Sequence, residues 1–351
     1  MKNIAFTTGG TGGHIYPALA LANKMRNEGY KIIFIGTRHR MEKDIVPANN
    51  FRFYGLDILP FNKVSSILKI FPAIYNARKI LQNSKIDVLI GFGNYISIPA
   101  ILAAKTLGIK VYLQEQNILM GMANKYCNRF SKKVFLAFKE TLKYIPEKKQ
   151  DKYVVTGNPL REEFYNITKE DARQKLEIDE NKKVILIMGG SLGAKQINDA
   201  VINNLEKINK KKNLILFWST GQNLFDDVHA KVKNLSNIIL MPYFDNVPEL
   251  MAASDLVICR SGASTISELL ELTKPSVLIP YDFVGQKENA EMLEYVNGAK
   301  MYTNETANEA VEYALGLCEN KEILEFMEKN LKKLSVGNST ENILKIIKEE
   351  N

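Results

Sequence analysis

The chain has 351 residues, of which 46% are hydrophobic and 25% are charged. This length predicts two domains, and the composition excludes a disordered chain, a fibre and an integral membrane protein. No apolar run approaches the roughly 18 residues of a membrane-spanning helix, and the first apolar stretch is too short for a signal peptide. The three cysteines have neither disulfide-framework nor zinc-site spacing, which favours a reducing, cytosolic location.

Charged side chains are distributed unevenly between the two halves of the chain. Residues 1–160 carry 24 basic and 9 acidic side chains, whereas residues 161–351 carry 23 basic and 30 acidic ones. A basic half indicates contact with an anionic surface, although compositional drift in a lysine-rich proteome explains the same numbers. Nucleic acid is not the expected partner, because the chain has no zinc finger, basic zipper or RRM-type motif.

One basic segment of the first half also carries apolar side chains. Between Asp57 and Asp87 every charged residue is cationic. Such a segment is either a packed helix with solvated lysines or a patch that docks on an anionic membrane. The residues of this predicted membrane patch are Phe61, Lys63, Ile67, Leu68, Lys69 and Phe71.

The hydrophobic pattern predicts alternating strands and helices along the whole chain. Strands are predicted at Ile4–Thr8, Lys31–Ile35, Asp87–Ile90, Lys110–Leu113, Lys133–Leu136, Tyr153–Thr156, Val184–Met188, Leu214–Trp218, Ile238–Met241, Leu256–Cys259 and Ser276–Ile279. Helical periodicity is found at Ala18–Arg26, Ile98–Leu107, Gln196–Ile208 and Ser264–Leu272. Apolar strands separated by helices are typical of parallel sheets that are buried on both faces.

A strand that runs into a glycine-rich turn occurs twice, at residues 9–13 and again at residues 189–193. This repetition predicts an α/β protein of two Rossmann-like domains in tandem. Glycine and proline interrupt the pattern at residues 157–161, so the predicted domains are residues 1–160 and 161–335. A helix at about residues 336–351 is expected to pack back on the first domain.

Glycine turns before helices are places where anions bind, because backbone N–H groups approach the ligand and the helix N-terminus is partly positive. A third such turn is Arg260-Ser261-Gly262-Ala263-Ser264. Neither of the first two turns reads G-x-G-x-x-G or ends in Gly-Lys-Ser/Thr, and no acid stands at the ribose-binding distance. A dinucleotide dehydrogenase and a P-loop NTPase are therefore both disfavoured.

His14 follows the first glycine turn directly and is one of three histidines in the chain. At this place a general base or a substrate ligand is favoured over a histidine that only bonds to the turn. The chain contains no His-x-x-x-His, Cys-x-x-Cys or Asp-x-Asp sequence. No metal site is therefore expected.

A series of segments resembles glycosyltransferase family 28, the bacterial N-acetylglucosaminyltransferases that make lipid II. The matching segments are Thr8–Pro17, Gly91–Ser97, Glu115–Asn117, Gly157–Arg161, Gly189–Ala194, Cys259–Glu268 and Gln286–Ala290. Three positions depart from the family pattern, with Tyr16 for Phe, Asn94 for Gly and Gln114 for His. The change at Asn94 would alter how the pyrophosphate of the acceptor is seated.

The resemblance implies a GT-B fold, in which two Rossmann-like domains with parallel sheets face a deep cleft. It implies inverting, metal-independent transfer of N-acetylglucosamine from UDP-N-acetylglucosamine to undecaprenyl-pyrophosphoryl-N-acetylmuramoyl-pentapeptide, known as lipid I, for peptidoglycan synthesis. No cofactor is implied. The enzyme would lie on the cytoplasmic face of the cell membrane as a peripheral protein, against an anionic lipid surface.

The family motifs also imply roles for individual residues. Glu268 would bind the ribose, the backbone of Phe244 the uracil and Gln286 the sugar hydroxyls, while His14 would be the general base. The full set of implied donor-binding residues is Gly10, Thr11, Gly12, Asn117, Arg161, Ser191, Phe244, Ala263, Ser264, Thr265, Ile266, Ser267, Glu268 and Gln286. Those implied for the acceptor are Gly13, Gly93, Asn94 and Tyr95.

The sequence leaves two other interpretations of the function open. One is another nucleotide-sugar enzyme of the same architecture, such as a glycolipid glucosyltransferase or a non-hydrolysing UDP-sugar epimerase. The other is a membrane-associated protein that binds a nucleotide sugar without turnover. Acceptor-dependent release of UDP would distinguish the transferase from both.

Overall fold

The computed structural model describes residues 2–60, 70–190, 192–232, 235–282 and 285–350. The chain divides into two compact units. The first unit is formed by Met1–Arg161 together with Val336–Asn351, and the second by Glu162–Ser335. Each unit is a parallel sheet with helices on its faces, which confirms the predicted α/β class with two Rossmann-like domains.

The first unit has a seven-stranded parallel sheet in the order β3-β2-β1-β4-β5-β6-β7. Its strands are β1 Asn3–Thr7, β2 Lys31–Thr37, β3 Arg52–Leu56, β4 Val88–Gly91, β5 Lys110–Glu115, β6 Lys133–Leu136 and β7 Tyr153–Val155. The helices between them are α1 Gly12–Asn27, α2 Glu42–Ala48, α3 Ile70–Asn83, α4 Ile98–Thr106 and α5 Met122–Cys127.

Strand β1 lies inside this sheet, between β2 and β4, and shows why the strands are so apolar. Phe6 is paired with Phe34 on β2 and with Ile90 on β4, and all three side chains are fully buried. The rings of Phe6 and Phe34 stack at 5.2 Å. Because helices cover both faces of the sheet, successive side chains of β1 are buried on alternate sides.

The second unit has a six-stranded parallel sheet in the order β10-β9-β8-β11-β12-β13. Its strands are β8 Lys183–Met188, β9 Leu214–Ser219, β10 Ile238–Met241, β11 Leu256–Cys259, β12 Ser276–Leu278 and β13 Ala299–Met301. Its helices are α6 Lys169–Lys175, α7 Lys195–Asn203, α8 Leu205–Lys210, α9 Phe225–His229, α10 Val247–Ala253, α11 Ala263–Glu271, α12 Gln286–Tyr295, α13 Ala307–Leu317 and α14 Lys321–Lys332. In the described part of the chain, every helix is too short or too polar to span a bilayer.

The last helix, α15 Ser339–Glu349, packs against α1 in the first unit. Its start is capped by Asn338, whose side chain accepts from the N–H groups of Thr340 and Glu341. Its apolar face is fully or almost fully buried in the same cluster as α1, through Ile343, Leu344 and Ile347. This burial, rather than the exposed ion pairs along the helix, holds α15 in place.

All the predicted strands are present, but two others were missed, and one predicted helix is interrupted. The missed strands β3 and β13 form sheet edges, where partial exposure replaces the apolar run on which the prediction depended. The helix expected at Gln196–Ile208 is broken at Asn204. There the side-chain amide donates to Ala200 O (3.0 Å) and to Asn308 Oδ1 (3.1 Å), and asparagine commonly competes with helical backbone bonds in this way.

Candidate functional site

In the second unit, the turns after β8, β11 and β12 lie at the carboxyl edge of the sheet, where ligands bind in open α/β folds. The turn after β8 packs backbone against backbone on the end of β9. A Cβ atom on Gly193 would overlap Thr220 O, and one on Gly221 would overlap Gly193. The glycines here permit this close approach of two turns.

A buried arginine lies beneath these turns. Arg260 is 4% exposed, and its guanidinium donates to Ile279 O (2.8 Å), Asn304 Oδ1 (2.7 Å) and Gln196 Oε1 (3.1 Å). The guanidinium also stacks on the ring of Tyr281 at 4.0 Å. Burial lowers the pKa of Arg260, but arginine starts so high that the side chain stays charged. The carboxyl edge of this unit therefore contains a fixed positive charge.

Helix α11 begins directly above this edge. Gly262 precedes it in an extended conformation and has no side chain to cap the helix. The N–H of Ile266 already donates to Gly262 O (2.9 Å). The N–H groups of Ala263, Ser264 and Thr265 belong to the helix start, which has no intrahelical acceptors for them. The backbone N–H groups that an anion could reach at the start of α11 are therefore those of these three residues and not that of Ile266.

Gln286, the first residue of α12, is held beside the start of α11. Its side-chain oxygen accepts from Tyr281 N (3.2 Å), and its backbone oxygen accepts from Ser261 Oγ (2.7 Å). Its amide nitrogen lies 3.9 Å from the position of a Cβ on Gly262. Gln286 is thus brought together with the predicted α11 residues.

The other residues predicted for the donor are less closely grouped. Glu268 is half-buried, one turn into α11, and its carboxylate adds to burial in raising the pKa of Cys259. Phe244 is 7% exposed and its ring packs edge-on against Phe217, so the side chain is part of the core. Ser191 lies outside the described residues. Ser267 is buried and bonds to the helix through its hydroxyl, which donates to Ala263 O (2.8 Å).

Five predicted donor residues lie in the first unit. They are Gly10, Thr11, Gly12, Asn117 and the half-buried Arg161, which ends the first segment of that unit. The first three form the turn after β1, and Asn117 follows β5. All five belong to the same unit as His14.

The turn after β1 is held between two side chains. The N–H of Gly10 donates to Glu42 Oε2 (3.0 Å), and the other carboxylate oxygen of Glu42 accepts from Thr37 N (3.1 Å). On the opposite side, Asn94 Nδ2 donates to Gly9 O (3.2 Å). Glu42 is 0% exposed, and a Cβ on Gly9 would overlap its carboxylate. The glycines of this turn therefore make room for Glu42 and Asn94.

This geometry explains the unusual residue at position 94. Asn94 has φ +68°, in the left-handed region that favours glycine, and Gly93 before it has φ +76°. With ψ 153° this is not the left-handed helical conformation that asparagine commonly adopts, so a side chain at this position carries backbone strain. The amide of Asn94 then reaches the glycine turn, which a glycine at this position could not do. Tyr95 follows and is half-buried.

His14 lies in the first turn of α1 and is paired with a residue far along the chain. Its Nδ1 atom is 3.0 Å from Gln116 Oε1. The neighbouring Glu115 is buried, and its carboxylate accepts from Asn117 N (3.1 Å), Gly121 N (3.0 Å) and Asn124 Nδ2 (2.9 Å). The loop that follows β5 is thus fixed close to the imidazole.

The predicted membrane patch falls mostly outside the described residues. Phe61, Lys63, Ile67, Leu68 and Lys69 all lie in the segment that the structure does not describe. Phe71 is described, at the start of α3, and is 67% exposed. Tyr75, one turn further, is 58% exposed, with the Lys79 ammonium 4.4 Å from its ring centre.

No group of three or more His, Cys, Asp or Glu side chains with the spacing to hold a metal ion occurs in the described ranges.

Family models match both units of the chain. The glycosyltransferase family 28 N-terminal domain matches residues 4–136, and the family 28 C-terminal domain matches residues 184–343. The chain belongs to glycosyltransferase family 28. The resemblance stated from the motifs is confirmed, since these matches cover most of both units.

Family 28 relatives align with almost the full chain. A protein from Fusobacterium nucleatum subsp. nucleatum is 44% identical over 346 residues, which cover 98% of this chain and 97% of the relative. It is named UDP-N-acetylglucosamine–N-acetylmuramyl-(pentapeptide) pyrophosphoryl-undecaprenol N-acetylglucosamine transferase. A relative of the same name from a Thermoanaerobacter species is 36% identical, and the alignment covers 98% of each chain.

Solved structures share the fold of this family 28 chain. The crystal structure of Acinetobacter baumannii MurG matches with a TM-score of 0.80 and 27% identity, over 99% of this chain and 100% of that one. A UDP-GlcNAc 2-epimerase from Neisseria meningitidis, bound to UDP-GlcNAc, matches with a TM-score of 0.70 and 21% identity, over 99% and 100% of the two chains. The second likeness concerns the fold alone.

Three buried polar residues of these sites were given no role by the sequence analysis. Arg260 and Gln116 lie within segments that resemble the family, whereas Glu42 lies in none of these segments. A signal existed for Glu42, because it is an acid a few residues after β2, whose carboxyl end lies beside that of β1. Its partner Gly10 is 32 residues away, and the sequence gives no measure of that proximity.

Proposed function

We propose that this protein transfers N-acetylglucosamine from UDP-N-acetylglucosamine to lipid I, the undecaprenyl-pyrophosphoryl-N-acetylmuramoyl-pentapeptide, in peptidoglycan synthesis. The observation that carries the proposal is 44% identity over 98% of the chain to a relative named for this reaction. The sites support it, because each unit has a strand, a glycine turn and a helix start at the carboxyl edge of its sheet.

The second unit would bind the donor. The diphosphate would lie against the N–H groups at the start of α11, with Ser191 and Arg161 as further contacts. Glu268 would accept from the ribose hydroxyls, the backbone of Phe244 would read the uracil, and Gln286 would bind the sugar. The position of Gln286 beside Ser261 and Gly262, directly before α11, supports this assignment.

Departure of UDP would be stabilised by groups of the protein itself. Negative charge develops on the diphosphate as its bond to the sugar breaks. The helix start contributes about half a positive charge, and the Arg260 guanidinium adds a fixed charge in a poorly hydrated place. With these groups in place, transfer would proceed without a divalent ion.

The first unit would supply the base and the acceptor contacts. His14 would take the proton of the acceptor hydroxyl as that oxygen attacks the anomeric carbon, which inverts its configuration. Gly13, Gly93, Asn94 and Tyr95 would contact the acceptor. Gly10 would act through the shape of its turn, because its N–H is already bonded to Glu42.

Transfer of labelled N-acetylglucosamine to a soluble lipid I analogue tests the proposal. The expected product carries the label with inverted anomeric configuration, forms with equimolar UDP, and still forms after a chelator has been added. Release of UDP without acceptor would contradict the transferase and indicate an epimerase-like activity. Tight donor binding with no product in any arm would indicate a binding protein instead. Loss of transfer on chelation would overturn only the metal-independent part.

We also propose that the first unit docks on the anionic cytoplasmic surface of the cell membrane as a peripheral protein. The isoprenoid tail of the acceptor leaves a bilayer at a cost of about 0.8 kcal/mol per CH₂, so the enzyme must reach the surface. Phe71 is exposed at the edge of the basic segment, beside Lys63 and Lys69 in the sequence. Anionic head groups would attract each cation by about 1 kcal/mol.

Co-sedimentation with vesicles that contain or lack phosphatidylglycerol tests this docking. Binding should require the anionic lipid, weaken with salt and fall when Lys63, Lys69 and Phe71 are replaced together. If that triple variant sediments like the parent, the membrane contact lies elsewhere on the protein.

The second unit offers a matched control. Lys321, Phe326 and Lys329 are exposed on α14 and also comprise two cations and a phenylalanine. Their joint replacement should leave sedimentation unchanged, while an equal loss in both variants would show that binding follows net charge alone.

A further inference from the structure

We propose that Gln116 is a positioning residue that sets the tautomer of His14, so that Nε2 is the atom that receives the proton. This inference rests on the proposed function for the role of His14, but the tautomer itself is a property of the protein without substrate. The two residues are 102 positions apart in the chain and come from α1 and from the residue that follows β5.

The orientation of the Gln116 amide is determined by its surroundings. Its nitrogen donates to Phe92 O (3.3 Å) and to Gln114 O (3.2 Å). Both partners are backbone carbonyls, which only accept hydrogen bonds. If the amide were flipped, its oxygen would face those two oxygens and both bonds would be lost. Gln116 is 1% exposed, so water does not compensate easily for such a loss.

The oxygen of Gln116 is consequently the atom that faces His14. An amide oxygen only accepts, so the Nδ1 atom of His14, at 3.0 Å, must donate. In a neutral imidazole only one nitrogen carries hydrogen. The lone pair is therefore on Nε2, the nitrogen that points away from Gln116.

This tautomer suits the proposed reaction. The acceptor hydroxyl forms a bond to the anomeric carbon, and its proton moves to Nε2. The bond from that carbon to the diphosphate oxygen breaks, and its electron pair leaves with UDP. The imidazolium that results keeps its Nδ1–H···Oε1 bond to Gln116, so the ring does not need to turn during the transfer.

Long-range ¹H–¹⁵N correlation of the histidine rings measures the tautomer directly. The chain has three histidines, His14, His39 and His229, so substitution of each assigns the spectrum. At a pH where the rings are neutral, His14 is expected to show a protonated Nδ1. His39 is an internal contrast, because its Nε2 lies 2.7 Å from Asp57 Oδ1 and should carry the proton. A protonated Nε2 on His14 in the parent protein would overturn the proposal.

Variants of Gln116 connect the tautomer to turnover. Gln116→Leu removes the acceptor, and His14 should then populate both tautomers with a kcat roughly 10- to 100-fold lower. Gln116→Glu loses the two bonds to backbone carbonyls and should lower folding stability. It retains an oxygen that can accept from Nδ1, so it should retain the parent tautomer and recover part of kcat. UDP affinity should be unchanged in both variants. If Gln116→Leu keeps a protonated Nδ1, Gln116 does not set the tautomer.

A matched control is the buried amide two positions earlier. Gln114 is 0% exposed and donates to Gly157 O (3.2 Å). Gln114→Leu likewise removes a buried amide, in this case from β5 itself. It should leave the Nδ1–H signal of His14 in place. Loss of that signal in the control as well would show that general loosening of β5, rather than Gln116, accounts for the effect.

Discussion

The glycine turns of the two units resemble each other in sequence but enclose opposite charges. The turn after β1 rests on the buried carboxylate of Glu42, which accepts from Gly10 N. The turns at the same edge of the second sheet surround the buried guanidinium of Arg260, which donates to Ile279 O and to Gln196 Oε1. A glycine turn before a helix therefore does not by itself specify a phosphate site.

The glycines have a different structural role in each unit. In the first unit they make room for side chains, since a Cβ on Gly9 would overlap Glu42 and one on Gly10 would overlap Asn94. In the second unit they allow one backbone to touch another, as Gly193 touches Thr220. The buried charge then decides the chemistry. A buried cation favours an anionic ligand such as a diphosphate, and the carboxylate of Glu42 shapes the turn that precedes His14.

The largest effect is expected on kcat, from a substitution directly after the first glycine turn. His14→Ala should lower kcat by roughly 10²–10⁴-fold, because a general base contributes that much. UDP affinity, measured by calorimetry, should stay nearly constant, since the proposed UDP contacts at the start of α11 and at Glu268 lie in the other unit. A loss that appears only in KM would show that His14 binds the substrate and is not the general base.

Arg260→Met tests the buried cation of the second unit. Folding stability in urea should fall by roughly 3 kcal/mol, because several buried acceptors lose a charged donor. UDP affinity should fall as well. Arg173→Met is the control, since Arg173 is a largely buried arginine at the amino edge of the same sheet that donates to Asp255 (2.8 Å). It should cost stability but spare UDP affinity, and an equal affinity loss in both would refute the local role of Arg260.

Glu268→Ala should weaken UDP binding by roughly 1.5–3 kcal/mol, the value of a charge-assisted contact to the ribose. Glu271→Ala on the same helix is the matched control, because Glu271 is also half-buried and lies three residues further on. Calorimetry on both folded variants decides the assignment. Unchanged affinity in Glu268→Ala would withdraw Glu268 from the donor site.

The smallest effect is expected for Glu42→Gln, which keeps the size of the side chain and removes its charge. One of the two N–H groups then faces an amide nitrogen, so stability should fall by about 1–2 kcal/mol. Turnover should fall modestly while UDP affinity stays the same. Asp44→Asn, on an exposed position of α2, should change neither. Weaker UDP binding in Glu42→Gln would mean that the first turn also contributes to the donor site.

The sequence predicted those parts of the fold whose cause is local. Buried strands such as β1 and β8 are continuous apolar runs, and a run followed by glycines marks the carboxyl end of a strand. Edge strand β3 lacks that signal because one side is open to solvent, and its residues are mostly half-buried or exposed. The interruption at Asn204 depends on Asn308, 104 residues later. A prediction from short stretches of sequence cannot include both residues.

The same limit applies to the candidate site. His14 could be recognised because it follows a glycine turn, and the motifs identified the α11 residues. The residues that act on His14 and Gly10 could not be assigned, since Gln116 and Glu42 come from other strand ends. Knowing that two carboxyl ends share an edge does not determine which side chains meet there. That depends on strand order and on the orientation of each amide.

The position of α15 has a consequence for how the chain is made. This helix is the last one described, and Ile343, Leu344 and Ile347 complete a core whose other members begin at Ile4. A nascent chain therefore cannot finish its first unit until the whole second unit has been synthesised, whereas the second unit is contiguous and can close earlier. We therefore expect the usual order of folding on the ribosome, N-terminal unit first, to be reversed. Until α15 emerges, the side of α1 that packs against it stays uncovered, and we expect the chain to be most exposed to aggregation and to chaperones at that time.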